Sequence, residues 1–335
     1  MTHITEHHND EKEIKKDRQD NYLILAGIIV SSVIISGSFI YASGMRTENG
    51  NIGTRVNSQQ QNQNFVDSIE NEVLPPRGVE LPVVWGDLGN KLVQTGVIDE
   101  AQFTELYRQG NGVFPDEYKE LLLGKKNGRL KITEENSGYI LNLFWALGLG
   151  NKNEILEKGE MTLKQYGGDP GVFASTGGWT IAKGNSMDHY SAHNFFTLTP
   201  EQQALVEKIS KTIFRPCCNN STHFPDCNHG MAMLGLLELM ASQNVSEQDM
   251  YKAALTVNSY WFPDTYITIA KYMKDNGVAW DSVSPREILG AEYSSASGYS
   301  QVSAKTGQSQ LRGNSGCDVS TGDVNSRRQQ SGCGL

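Results

Sequence analysis

An uncharged, largely apolar run from Tyr22 to Ala42 divides a polar N-terminus from the rest of this 335-residue chain. Its 21 residues would span about 31 Å as a helix, which matches a bilayer hydrocarbon core of about 30 Å. The pattern predicts a transmembrane anchor. A cleaved signal peptide is the rival, but the run exceeds the usual h-region and its leading segment is long and mixed in charge. From Ser43 to about Gly78 the chain is rich in Asn, Gln, Gly and Thr without apolar periodicity, so 43–78 reads as a flexible tether. Apolar periodicity returns in 79–293. From about Ser294 to Leu335 it fades again into Ser, Gly, Gln and Asn, and 294–335 reads as a disordered tail that carries Cys317 and Cys333.

Within 79–293 the punctuation is that of helices. Thr199-Pro200-Glu201-Gln202 joins an N-cap threonine, a proline at the first helical position and a capping-box glutamine, which predicts a helix to about Ile213. Ser284-Pro285-Arg286-Glu287 repeats the signature, and Ser246 to Asp249 forms another box. Asp264 to Lys274 follows Pro263 and stops at Asn276-Gly277. Asp99 to Tyr107, Pro115 to Leu123 and Tyr139 to Leu147 read as three more helices. The stretch from His229 to Ser242, with Asp226 or Asn228 as its N-cap, is apolar nearly all round and is expected at the centre of a bundle. Glycines break Tyr166 to Lys183 into a loop, with a short strand expected at Trp179 to Ala182. The fold class is therefore mainly α: an N-terminal transmembrane helix, then an extracytoplasmic helical bundle with a Gly-rich loop region.

Charge sets the orientation. Lys12, Lys15, Lys16 and Arg18 precede the span while Arg46 and Arg55 follow it, so the positive-inside rule puts residues 1–21 in the cytoplasm. The rest of the chain is acidic, which disfavours nucleic acid as a partner and suits a cation or a soluble protein, though no protein partner is named by the sequence.

Candidate chemistry gathers in one window. His189, His193, His223 and His229 and three of the five cysteines, Cys217, Cys218 and Cys227, fall within about forty residues. Cys227 and His229 stand at the start of an apolar helix, where free N–H groups and the macrodipole favour thiolate. Cys217, Cys218, Cys227 and His229 supply four donors for a tetrahedral ion, zinc first and copper second. His189 and His193 would share one helical face and extend the set, with Asp188 as an outer acceptor. Tyr190 stands where a zincin needs Glu, so metalloprotease chemistry is disfavoured. The spacing of the cysteines matches no standard zinc motif, and an exported chain also permits a redox-active dithiol or a plain structural disulfide. A tail of about 40 residues reaches about 35 Å, enough for Cys317 or Cys333 to return to the site.

Arg215-Pro-Cys217-Cys218-Asn-Asn-Ser221, a helix and Gln243-Asn-Val-Ser-Glu-Gln-Asp249 together resemble two groups of exported bacterial proteins over about 45 residues. One is the membrane-anchored thiol protein of cytochrome c maturation; the other is the family named for its Pro-Cys-Tyr-Cys-Gly-Cys motif. The resemblance implies a thiol or metal centre at Cys217, Cys218 and Cys227, although adjacent cysteines replace the C-x-x-C of the first group. Asp226-Cys-Asn-His-Gly230 is also similar to a string in uncharacterised bacterial envelope proteins. The resulting expectation is a membrane-anchored protein that binds a transition metal, with a thiol-disulfide or cytochrome-maturation factor and a disulfide-stapled scaffold as the alternatives.

Overall fold

The computed structural model describes residues 68–108 and 112–306. The expected anchor at 22–42 and the cysteines at 317 and 333 lie outside them. Among the described residues no helix is long and apolar enough to cross a membrane.

The architecture is mainly helical, as the pattern predicts, and the described residues add one small sheet that the pattern does not predict. A helical turn over 68–73 leads into strand β1 (Val79–Gly86), followed by helices α1 (Leu88–Thr95), α2 (Glu100–Leu106) and α3 (Asp116–Leu123), strand β2 (Asn127–Ile132) and helices α4 (Ser137–Gly150) and α5 (Glu154–Lys158). A long connection of turns and short 3-10 segments then reaches α6 (Pro200–Ser210), α7 (Asn228–Ser242), α8 (Glu247–Trp261), α9 (Pro263–Asp275), α10 (Pro285–Ile288), α11 (Ala291–Ser294) and α12 (Ala296–Lys305).

Helices α4 and α7 form the centre because neither has a polar face to offer solvent. Twelve consecutive residues of α4, Tyr139–Gly150, and fourteen of α7, Asn228–Ala241, are buried. Two glycines let them touch at backbone distance: a Cβ at Gly148 would lie 2.2 Å from the Met231 carbonyl, and one at Gly235 would lie 2.5 Å from that of Phe144. Met231, Met233 and Met240 are core packing, as expected. Around this pair α6 and α8 pack on α7, and α12 packs on α9.

The capping boxes read from the sequence form. Thr199 accepts from the Gln202 amide while the Gln202 side chain accepts from the Thr199 amide, and Ser246 accepts from the Asp249 amide. The helix after Ser284 shrinks to four residues.

Three expectations need correction. No strand forms at Trp179 to Ala182; that segment is fixed instead by single hydrogen bonds, Asp99 N–H to the Ile181 carbonyl and Lys183 N–H to that of Gly96. The sheet is elsewhere: β1 and β2 pair antiparallel with Val79 opposite Ile132 and Gly86 opposite Asn127, and the register slips between Glu80 and Val84 where Pro82 has no N–H to give. The 43–78 tether ends early, because Ile69, Val73 and Leu74 are buried in the core. The 294–335 tail begins late, because α12 is helical and buries Val302.

Candidate metal centre

The cysteine window is the connection 211–227 between α6 and α7. Elements distant in sequence clamp it by its backbone. Leu289 accepts from the Phe214 N–H, Asn258 Nδ2 donates to the Phe214 carbonyl, and Ser175 N–H donates to that of Asp226. From α12, Ala296 N–H donates to the Cys218 carbonyl and Ser297 N–H to Asn219 Oδ1. Phe214 and Ser221 form a one-residue antiparallel bridge that folds the connection back on itself.

This fold brings three sulfurs together. Cys217 Sγ lies 3.5 Å from Cys227 Sγ and 3.9 Å from Cys218 Sγ, and all three are free thiols. Among the described residues this is the group of ligand atoms placed tightly enough for one ion, within 4.8 Å of one another. A tetrahedral site with metal–sulfur bonds of about 2.3 Å has edges of about 3.8 Å, close to the two separations observed. The adjacent pair Cys217 and Cys218 thus enters the cluster together.

At the centre of the connection sits a residue that the sequence reading passed over. Arg215 is 1% exposed and spends its guanidinium on four acceptors: Nε donates to Cys227 Sγ at 3.1 Å, Nη1 to the Asn220 carbonyl at 2.9 Å, and Nη2 to the Phe224 carbonyl at 3.0 Å and Asp226 Oδ1 at 2.5 Å. Asn220 Nδ2 holds the second Asp226 oxygen at 2.6 Å. Gly230 makes room for it, since a Cβ there would stand 2.6 Å from Arg215 Cζ. With its carboxylate taken by Arg215, Asp226 does not cap α7. Cys227 does so instead, its sulfur accepting from the Gly230 N–H at 3.4 Å. The sequence signal was a cation written between Phe214 and Pro216: an arginine buried in such company needs an anion beside it.

Electrostatics separates the three thiols. Burial alone would raise the Cys227 thiol, but hydrogen bonds from Cys217 and Cys218 and the charge of the Arg215 guanidinium outweigh it and hold that thiol well below its ordinary value. Hydrogen bonding to Cys218 and Cys227, together with burial, pushes Cys217 well above it. At Cys218 the bond to Cys217 pulls downward, yet its bond to Cys227 and its burial prevail and the thiol is pushed up to about 12.

The imidazoles divide into three environments. His229 is buried on the first turn of α7, with its ring 4.3 Å from Phe262 and 5.9 Å from Trp261, and neither ring nitrogen has a hydrogen-bond partner. It adjoins Cys227 but its nitrogens fall outside the three-sulfur group. His189 and His193 do meet, Nδ1 to Nε2 at 3.0 Å, but not on a helix: a single 3-10 turn, Ser186–Asp188, and Ser191 at φ 50° bring them together. His189 Nε2 donates to the Lys183 carbonyl at 3.0 Å, so its Nδ1 is the acceptor of the pair. The two histidines serve each other and the loop, outside the sulfur group. His223 pairs with Glu160, Nδ1 to Oε2 at 2.6 Å.

No family model, curated protein or solved structure matches the chain.

Proposed function

We propose that this chain binds a transition metal, zinc first and copper second, through Cys217, Cys218 and Cys227, with His229 as the fourth donor. The observation that carries the reading is the pair of sulfur separations, 3.5 and 3.9 Å, on either side of the edge of a tetrahedral zinc–thiolate site. His229 supports it independently. A buried imidazole with both nitrogens unpartnered is costly, and a ligand bond removes that cost. Thiolate and imidazole are donors that zinc and copper favour. His189 and His193 are left out of the donor set because their facing nitrogens already bond each other.

Three sulfurs and one imidazole fill a tetrahedral shell and leave no open position for a substrate, so the ion would act structurally, by cross-linking the 211–227 connection to the first turn of α7. In this reading residues 22–42 anchor the chain with its N-terminus in the cytoplasm and display the metal domain on the extracytoplasmic side, on the strength of hydropathy and flanking charge. The test is metal analysis of the protein purified anaerobically, beside its Cys227→Ser variant. The expected result is one ion per chain in the first and loss of most of it in the second. A metal-free wild-type protein that takes up neither zinc nor copper would overturn the proposal.

A further inference from the structure

The cluster holds more than a ligand set. Cys217 and Cys227 are the closest pair of sulfurs, 3.5 Å apart, and both are buried, whereas Cys218 is half-buried. The Cys227 sulfur is prepared as a nucleophile by geometry: it caps the fifteen-residue helix α7, accepts from the Gly230 N–H and from Arg215 Nε, and so sits where two donors stabilise negative charge. The adjacent pair, Cys217 and Cys218, is poorly suited to bonding. Adjacent residues place their Cα atoms about 3.8 Å apart across a trans peptide, below the usual range of about 4.4 to 6.8 Å for a disulfide. Cys217 and Cys227 are ten positions apart, the first in the turn closed by the Phe214–Ser221 bridge and the second beyond it, and are free of that restraint.

We infer that Cys217 and Cys227 form an oxidisable dithiol whose disulfide and the bound ion exclude each other, so that a peroxide releases the metal. The inference rests on the metal-binding reading of the same site. The Cys227 thiolate attacks one oxygen of the peroxide; the S–O bond forms, the O–O bond breaks, and hydroxide leaves. Cys217, a thiolate because a ligand sulfur gives up its proton on binding the ion, then attacks the sulfur of the resulting sulfenic acid, forming the S–S bond and expelling a second hydroxide. Two thiolates have lost two electrons, one hydrogen peroxide has gained them, and the hydroxides become water with two protons from solvent. The ion is left with Cys218 and His229 alone, two donors where it had four. Arg215 keeps its bonds to Asp226, Asn220 and Phe224, so the connection stays folded and a dithiol reductant can restore the site.

The experiment uses the full-length protein, reduced, loaded with zinc and then titrated with hydrogen peroxide in the presence of a chromophoric chelator, with the cysteines mapped by peptide mass spectrometry. One equivalent of zinc should appear for each Cys217–Cys227 disulfide, and dithiothreitol should reverse both. A Cys218→Ser protein should still form that disulfide, which keeps the test informative if its zinc affinity falls. Zinc retained through oxidation, or released while Cys217 and Cys227 remain thiols or pair with Cys218, Cys317 or Cys333, would overturn the inference while leaving the metal reading intact. A protein that takes up neither zinc nor copper fails at the loading step, before peroxide is added, and takes both readings with it.

Discussion

Arg215 decides more of the site than any cysteine does. Its guanidinium joins two backbone carbonyls, one carboxylate and one sulfur, so it fixes the path of the connection and the charge beside Cys227 at once. Lysine keeps the charge but offers a compact ammonium that cannot span the same four acceptors. Arg215→Lys should therefore destabilise the fold by about 3 kcal/mol, the scale for losing one or two charged hydrogen bonds in a buried place, read as a lower denaturant midpoint at unchanged slope. Gly230→Ala attacks the same contact from the other side. Because the guanidinium is held by four bonds and cannot step away, the new methyl should cost about 1–3 kcal/mol, seen in the melting temperature. A stability within about 0.5 kcal/mol of wild type for both variants would show that Arg215 is not the keystone. The sequence offered the cysteines and histidines plainly but hid this residue, since two of its four partners are main-chain carbonyls that no side-chain pattern reports.

At the scale of elements, α7 carries both the site and a buried acid. Glu238 is fully buried; its Oε2 accepts from Asn151 Nδ2 at 2.7 Å and its Oε1 has no partner. Burial holds this carboxyl well above the usual range in spite of Asn151, so the folded protein keeps it protonated where the unfolded chain ionises it. A carboxyl raised in this way contributes stability that is complete below the unfolded value of about 4.3 and is lost as pH rises toward the folded value. Glu238→Gln keeps the acceptor for Asn151 and removes the titration. The variant should match wild type near pH 4 and exceed it increasingly toward pH 8, measured as the difference in urea midpoints; equal midpoints at both pH values would contradict this.

Elements also show what a linear reading can and cannot see. The boxes at Thr199 and Ser246 were legible because a cap is made by residues three apart. Strand β1 has a period-two signal, Leu81, Val83 and Trp85 inward against Glu80 and Val84 outward, but Pro82 in its middle argues against a strand until its bulge is seen. The meeting of His189 and His193 was foreseen for the wrong reason, through a helix instead of a left-handed Ser191.

For the whole molecule, the boundaries drawn from composition cut too close. Ser, Gly and Gln at 296–305 suggest disorder, yet that segment forms α12, donates to Cys218 and Asn219 and buries Val302. Its helix is held by tertiary contact, which composition does not register. A fragment spanning 79–293 should therefore melt well below one spanning 64–306 and hold its ion less tightly. Loss of Ile69, Val73 and Leu74 alone removes side chains worth about 1.5–3 kcal/mol each when buried. Equal melting temperatures and equal zinc retention would show that the flanking helices are ornaments to the fold.

The central claim is that one ion sits among Cys217, Cys218, Cys227 and His229. X-ray absorption at the zinc edge of the loaded full-length protein reads that shell directly. The account predicts three sulfur scatterers at about 2.3 Å and one nitrogen at about 2.0 Å, with one sulfur lost in Cys218→Ser. A shell of nitrogen and oxygen alone, or a sulfur count unchanged by that substitution, would contradict it.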